Sequence, residues 1–135
     1  MAESCTGGLI GAALTSVPGS SRVFKGGVIS YTNEVKANLL GVNGDLLKNA
    51  GAVSALVAEA MASGVRRLTA SDYGISVTGL AGPGGDEFGN PVGTVYIGFA
   101  DKYGTDFRKF CFVGDRNFVR QQAVEAALSL LLEKL

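Results

Sequence analysis

The sequence predicts an α/β fold, a three-layer α/β/α sandwich with a mixed sheet that includes a C-terminal antiparallel hairpin. Two observations carry this prediction. Helical periodicity alternates along the chain with short apolar runs of strand length, which is typical of a sheet covered by helices. Towards the C-terminus, two such runs lie close together across a turn at Tyr103-Gly104, which predicts an antiparallel pair.

The first half of the chain predicts one strand between two helices. Apolar residues at helical spacing predict a helix over residues 9–17, which Pro18-Gly19 ends. The run GGVISYT (26–32) is expected to be a strand. Asn33 is the predicted N-cap of a short helix that runs through Leu40 and is closed by a glycine.

The second half predicts three strands and two longer helices. Ser54 is the expected cap of the first helix, and Asp115 that of the last, which runs from about residue 117 to the end. The predicted strands are 73–78, 93–101 and 106–113. The predicted inward faces are Val57, Ala60, Met61, Gly64, Val65 and Leu68 on the first helix, and Val124, Ala127, Leu128 and Leu131 on the last.

The bulk composition limits the possible functions. With 135 residues, 47% of them hydrophobic, the chain suffices for one domain with a buried core, placed here at residues 1–135. Its 12 basic and 12 acidic residues cancel, which argues against nucleic-acid and membrane partners. No apolar run spans a bilayer, and no signal peptide is visible. The two cysteines lack disulfide or metal-ligand spacing, so we expect a cytoplasmic protein without a metal.

The absence of histidine draws attention to Ser4. A Ser-His-Asp triad is impossible, so a nucleophilic serine needs another base. Ser4 stands in AESCTGG (2–8), ahead of a predicted helix whose N-terminus would bring partial positive charge to the serine oxygen. It fits either a nucleophile or a helix cap. Its neighbour Cys5 is either a rival nucleophile or a small buried hydrophobic residue. No strand is predicted before Ser4, although a nucleophile at a strand-to-helix turn needs one.

Lys36 is the best-placed candidate base. An ordinary lysine has a pKa of about 10.4 and is a poor base at pH 7. In the first turn of the predicted helix, the helix dipole and partial burial would both lower that pKa. A solvated lysine is the alternative. Tyr31, at the end of the preceding strand, either orients this amine, binds a substrate or lies at the edge of the core.

A glycine-rich loop follows the strand that ends at Thr78. The run TGLAGPGG (78–85) stands where open α/β sheets bind ligands, and its backbone N–H groups could hold an anion. It matches neither a Walker A nor a Rossmann fingerprint, and a flexible turn is the alternative. Arg116, at the start of the last helix, has a fork suited to phosphate, or is a surface arginine. Asp86 and Glu87 are expected to be solvated loop charges.

Together these segments resemble the CinA C-terminal domain family, the nicotinamide-nucleotide amidases. The resemblance implies an α/β/α domain, often a homodimer, that needs no metal or organic cofactor. Family members usually carry a helix and a strand ahead of the ESCTGG motif, so these elements are expected to be missing here. The matching stretches follow the family's order and are AESCTGG (2–8), PGSS (18–21), GGVISYTNEVKANLLGV (26–42), GAVS (51–54), SVTGLAGPGG (76–85), PVGTVYIGFA (91–100) and GDR (114–116).

The resemblance also implies roles for single residues. Ser4 would be the nucleophile and Lys36 its general base, with Tyr31 assisting and Thr78 supporting the dyad or the bound amide. Backbone N–H groups near Thr6, Gly7 and Gly8 are the expected oxyanion donors. The full set expected to bind substrate is Thr6, Gly7, Gly8, Asn33, Gly79, Gly82 and Arg116.

The implied reaction is hydrolysis of the carboxamide of nicotinamide mononucleotide to nicotinate mononucleotide and ammonia. The expected partner is therefore a small nucleotide. Two alternatives remain open: a catalytically silent nucleotide-binding or scaffold domain of the same fold, and an amidase in which Cys5 is the nucleophile.

Overall fold

The computed structural model describes residues 1–135 and contains a five-stranded mixed sheet between two layers of helices. The predicted α/β/α sandwich is therefore confirmed. The strands are β1 (Ala2–Glu3), β2 (Val28–Ile29), β3 (Gly74–Gly79), β4 (Thr94–Ala100) and β5 (Thr105–Cys111). The helices are α1 (Leu9–Thr15), α2 (Asn33–Leu40), α3 (Gly44–Ala50), α4 (Ala55–Leu68) and α5 (Arg116–Lys134), with a 3₁₀ turn at Ser20–Arg22.

The sheet order is β2-β1-β3-β4-β5. The first three strands are parallel, whereas β3, β4 and β5 pair antiparallel, so the predicted hairpin is confirmed. The expectation that no strand precedes Ser4 is wrong. Ala2 pairs with Val28 on one side and Ser76 on the other, which places β1 inside the sheet. A strand of two residues is too short to produce an alternating pattern, so periodicity could not reveal it.

The two faces of the sheet are packed differently. Apolar side chains of β3 and β4 form a core with α1 and α5, and a second apolar cluster joins α2, α3 and α4. Towards α4 the sheet presents small residues. A Cβ added at Gly98 would lie only 2.2 Å from the Ala58 carbonyl oxygen of α4, and one at Gly74 would lie 2.2 Å from that of Ala62. Because these positions lack bulk, α4 lies directly on the sheet.

Several element boundaries differ from the predictions. The strand expected over residues 26–32 is regular only at β2. Helix α2 does begin at Asn33, but Thr32 and not Asn33 is its N-cap, since the Thr32 hydroxyl accepts from the Val35 N–H at 3.3 Å. Helix α3 was not predicted. Asn43 caps it, and only Leu47 on it is fully buried, so its apolar pattern is too short to identify.

The buried helix faces are also rotated relative to the predictions. Ser54 and Asp115 do cap α4 and α5. On α4, however, Leu68 is 56% exposed, and alanines take the central contact because α4 lies so close to the sheet. The fully buried residues are Val57, Ala58, Met61, Ala62, Gly64 and Val65 on α4, and Val119, Ala123, Ala127 and Leu130 on α5. None of the helices is long and apolar enough to cross a membrane.

Candidate active site

Ser4 and Lys36 meet in the structure, as the sequence predicts. Ser4 directly follows β1, and its N–H donates to the Val77 carbonyl of β3 at 2.9 Å. Lys36 is the fourth residue of α2 and reaches back under the sheet edge. Its Nζ lies 3.1 Å from Ser4 Oγ and 2.6 Å from the carbonyl oxygen of Ser30. Both side chains are buried, with 9% of Ser4 and 1% of Lys36 exposed.

The environment of Lys36 favours its neutral form. Burial lowers the pKa of its amine to about 8, while the nearby Cys5 thiol acts in the opposite direction. At pH 7 an amine with that pKa is about one-tenth neutral, whereas an ordinary lysine is less than about one-thousandth neutral. When the amine is neutral, one N–H can stay on the Ser30 carbonyl while the lone pair faces the serine hydroxyl. Lys36 is thus equipped to act as a base.

Glu3 is the most important residue that the sequence reasoning missed. It is fully buried, and its carboxylate accepts from the backbone N–H groups of Gly8, Ile10 and Gly11 at 3.0, 3.1 and 2.9 Å. These donors belong to the start of α1. The expectation that this helix end faces the serine oxygen is therefore wrong, since Glu3 takes up its N–H groups and its positive charge. The only signal was an acidic residue ahead of the predicted helix, and its partners are backbone N–H groups that the residue type does not specify.

The expected oxyanion donors also need correction. The Gly8 N–H is bound by Glu3, and the Gly7 N–H donates to the Ser4 carbonyl at 3.1 Å. In contrast, the N–H groups of Cys5 and Thr6 donate to no oxygen atom of the protein. The open donors therefore lie one and two residues after Ser4: Thr6 is one of the predicted donors, whereas Cys5 was not predicted to be one. This arrangement resembles a nucleophile elbow, in which the residue after the nucleophile supplies an oxyanion donor.

A cavity of about 250 Å³ opens beside the dyad. Its floor contains Ser4, Lys36 and Thr78, and the glycine-rich loop forms one wall, which includes Gly79 and Gly82, two of the residues expected to bind substrate. Thr6, Gly7 and Gly8 are not among its lining residues. The complete lining is Ser4, Cys5, Tyr31, Asn33, Lys36, Ala52, Val53, Thr78, Gly79, Leu80, Ala81, Gly82, Gly84 and Arg116.

Tyr31 and Arg116 form a bridge at the exposed rim of this cavity. Arg116 Nη2 donates to the Tyr31 hydroxyl at 3.0 Å, and its Nη1 donates to the Gly82 carbonyl at 2.7 Å. The bridge joins the start of α5 to the glycine-rich loop and to the turn before α2. Tyr31 makes no hydrogen bond to Lys36, whose partners are Ser4 and Ser30. Tyr31 therefore does not orient the amine through a hydrogen bond.

Thr78 and Asn33 line the cavity in different ways. Thr78 is buried, and its hydroxyl donates to the Ala52 carbonyl at 2.7 Å, so it anchors the segment before α4 and makes no hydrogen bond to the dyad. Asn33 is exposed at the rim, and its side chain makes no hydrogen bond within the protein. Its amide is free to contact a ligand.

Cys5 lines the cavity but is a poor nucleophile. Burial raises the pKa of its thiol to about 11, which outweighs the lowering effects of its own backbone N–H, Arg120 and Lys36. A thiol with that pKa is almost entirely protonated at pH 7. The structure therefore favours the alternative in which Cys5 is a small buried hydrophobic residue.

Two further polar residues hold the site together. The Ser30 N–H donates to the Glu3 carbonyl at 2.7 Å, while the Ser30 carbonyl holds Lys36. From α5, Arg120 donates through Nε to the Cys5 carbonyl at 3.0 Å and through Nη2 to the Thr6 carbonyl at 3.3 Å. The sequence reasoning gave neither residue a role, because both contacts use backbone carbonyls.

Comparison with known proteins places the chain in a family. The family model described as "CinA C-terminal domain" matches residues 1–135. A CinA-like protein of Endomicrobium trichonymphae is 54% identical over 134 residues, which is 99% of this chain and 31% of the relative. A CinA-like protein of Trichodesmium erythraeum is 52% identical over 138 residues, 100% of this chain and 32% of the relative. The chain thus spans about a third of the length of these curated relatives.

Two solved structures support this family assignment. The crystal structure of competence damage-inducible protein A from Klebsiella pneumoniae has a TM-score of 0.96 and 39% identity, covering 98% of this chain and 83% of that one. A competence/damage inducible protein from Agrobacterium tumefaciens has a TM-score of 0.93 and 39% identity, covering 98% and 81%. The chain belongs to the CinA C-terminal domain family.

Proposed function

We propose that this CinA C-terminal domain is an amidohydrolase that converts nicotinamide mononucleotide to nicotinate mononucleotide and ammonia. The observation that carries the proposal is the contact between two buried side chains, Lys36 Nζ and Ser4 Oγ, at 3.1 Å. With no histidine in the chain, Lys36 is the base within reach of this serine. The choice of substrate follows from the family resemblance, and the cavity supports it.

In the first half of the reaction, the neutral Lys36 amine takes the proton of the Ser4 hydroxyl as Oγ attacks the carboxamide carbon. The carbonyl π bond opens, and the oxygen becomes an oxyanion. The N–H groups of Cys5 and Thr6, which donate to no oxygen atom of the protein, are the candidate donors to that oxygen. In known enzymes, removal of one such donor costs about 3–4 kcal/mol of transition-state stabilisation.

Collapse of the tetrahedral intermediate breaks the C–N bond. The Lys36 ammonium returns its proton to the leaving nitrogen, which departs as ammonia and leaves an ester on Ser4. Lys36, which lines the cavity, is then neutral again and can take a proton from an entering water. Attack of that water on the ester releases the nicotinate product and restores the Ser4 hydroxyl.

The shape of the site is compatible with a nucleotide. The cavity of about 250 Å³ is slightly smaller than the usual range for ligand sites, and its floor is buried. A planar carboxamide ring would enter this floor, and the ribose and phosphate would extend to the exposed rim. There the Arg116 guanidinium and the Asn33 amide are available to an anion.

The direct test is an ammonia-release assay with nicotinamide mononucleotide. We expect turnover by the wild-type chain and none above background in Ser4→Ala and Lys36→Met. Cys5→Ala is the matched control, because it removes the neighbouring nucleophile and should keep most of the activity. Nucleotide binding without ammonia release would instead favour a silent binding domain. Activity retained in Ser4→Ala and lost in Cys5→Ala would favour a cysteine amidase.

A further inference from the structure

Arg120 is the second cationic side chain that reaches the turn after Ser4, and the mechanism above does not use it. It is half-buried on the second turn of α5. Its two hydrogen bonds go to the carbonyls of Cys5 and Thr6, at 3.0 and 3.3 Å. The two salt bridges of the structure, Arg108–Glu133 and Lys134–Asp106, lie elsewhere. The charge of Arg120 is thus not neutralised by a carboxylate.

A side chain bound to a backbone carbonyl also affects the N–H group of the same peptide group. The Cys5 carbonyl belongs to the same peptide group as the Thr6 N–H, which donates to no oxygen of the protein. A cation bound to the oxygen of a peptide group polarises that group and makes its N–H a stronger donor. The guanidinium also fixes the plane of the peptide, because a rigid planar fork binds two successive carbonyls.

The turn itself is not built for maximal stability. Thr6 is fully buried, and its hydroxyl is a buried side-chain group without any hydrogen-bond partner. Such unsatisfied groups are uncommon in native proteins and concentrate where function constrains the chain.

The positive charge of Arg120 also acts on the site electrostatically. Burial raises the pKa of the Cys5 thiol, and of the two cations that oppose this effect, Arg120 contributes more than Lys36.

We propose that Arg120 is a positioning residue that holds and polarises the Cys5–Thr6 peptide group, so that its N–H stabilises the oxyanion formed on Ser4. This inference rests on the proposed function. It predicts a role in the chemical step and none in substrate binding, since the Cys5–Thr6 peptide group reaches the cavity at Cys5, whereas Arg120 lies outside the cavity lining. Its effect on the reacting atoms passes through the backbone.

The test compares Arg120→Ala and Arg120→Lys with Arg108→Ala, a matched loss of an arginine on the far strand β5. We expect kcat to fall in Arg120→Ala by up to about 10²-fold, the lower end of the effect of losing one oxyanion donor, because the N–H group stays but is less polarised and less well placed; KM should be unchanged. Arg120→Lys keeps the charge without the planar fork, so its kcat should lie between those of Arg120→Ala and wild type. Added guanidinium at millimolar concentration should restore part of the kcat of Arg120→Ala. Arg108→Ala should behave as wild type.

A second readout does not depend on the nucleotide. With a fluorophosphonate, Ser4 Oγ would form a P–O bond and displace fluoride while its proton passes to Lys36. The five-coordinate phosphorus of that step has a phosphoryl oxygen that needs the same donors, so the labelling rate of Ser4 should fall in parallel with kcat. If wild type labels at Ser4 but releases no ammonia, the proposed substrate is wrong, and the Arg120 dependence of labelling still decides this inference. If the wild-type protein is not labelled at Ser4 and also releases no ammonia, both proposals are overturned.

Two results would overturn the role of Arg120 alone. One is an increase in KM at unchanged kcat, which would make Arg120 a substrate contact. The other is a loss of kcat that guanidinium does not restore and that matches the loss of folded protein in a thermal melt. That result would mean that Arg120 only stabilises the contact between α5 and the turn after Ser4.

Discussion

Glu3 and Ser30 join the two halves of the candidate site through a 2.7 Å hydrogen bond from the Ser30 N–H to the Glu3 carbonyl. Ser4 follows Glu3 directly, and the Ser30 carbonyl holds Lys36 Nζ. The proposed nucleophile and the proposed base are therefore fixed through one pair of adjacent parallel strands. A shift in register between β1 and β2 would separate them.

The first prediction concerns the pH dependence of catalysis. If neutral Lys36 is the base, then with a pKa that burial lowers to about 8, kcat/KM should rise about tenfold per pH unit below pH 8 and level off above it. The measurement is ammonia release between pH 6 and about pH 9.5. A profile that is flat or that falls with pH over this range would contradict the role of Lys36.

The second prediction concerns stability. The folded-state pKa of Lys36 lies below its unfolded value of 10.5, so the unfolded chain binds more protons between about pH 8 and 10.5, and stability should rise with pH there. Relative to Lys36→Met, which cannot titrate, wild type should gain about 2–3 kcal/mol between pH 7 and pH 10. Urea unfolding of both proteins at each pH measures this.

The comparison with Lys36→Met also removes an opposing contribution. The raised pKa of the Cys5 thiol makes the folded state bind more protons than the unfolded state above about pH 9, which lowers stability there. Both proteins contain Cys5, so subtraction leaves the effect of Lys36. A difference that does not change with pH would mean that the amine is protonated in the folded state.

The third prediction concerns Glu3. In Glu3→Gln a single amide oxygen must serve three N–H groups that the carboxylate now satisfies, so we expect a loss of about 2–3 kcal/mol of unfolding free energy. Activity should fall as well, because the turn that carries Ser4 loses its anchor. Glu34→Gln, in the exposed first turn of α2, is the control and should cost less than about 1 kcal/mol. Equal losses in the two variants would mean that Glu3 is not the anchor.

The fourth prediction concerns the contact of α4 with the sheet. In Gly98→Ala the new Cβ would meet the Ala58 carbonyl, which belongs to rigid backbone, so α4 must move. We expect a destabilisation of about 3 kcal/mol or more. In Gly44→Ala the Cβ meets nothing within 4 Å, and the variant should be neutral or stabilised by up to about 1 kcal/mol. Thermal and urea unfolding distinguish these outcomes.

The fifth prediction concerns Arg116. If its guanidinium binds the nucleotide phosphate, Arg116→Gln should raise KM for nicotinamide mononucleotide about 10- to 100-fold with little change in kcat. The matched control is a substrate, nicotinamide riboside, which lacks the phosphate and should show no such difference. Tyr31→Phe leaves the guanidinium in place and should have only a small effect. An equal rise in KM with both substrates would mean that Arg116 does not bind the phosphate.

The sequence predicted the fold class and most elements, because long helices and antiparallel strands produce periodic patterns. It also predicted the Ser4–Lys36 pair, through the absence of histidine and the shared motifs. What it could not predict are contacts made by backbone groups. Three such contacts shape the site. Glu3 accepts from N–H groups at the start of α1, the Ser30 carbonyl accepts from Lys36 Nζ, and Arg120 donates to the Cys5 carbonyl. Each involves main-chain atoms, which the residue types do not specify.

The burial of Lys36 links reactivity to an intact fold. An amine shielded from solvent gives up its proton readily, whereas the same side chain in a loosened or half-open molecule would be hydrated, charged and unable to activate the serine. On the proposed mechanism, incompletely folded copies would therefore lack an activated serine, and hydrolysis would be confined to the folded molecule.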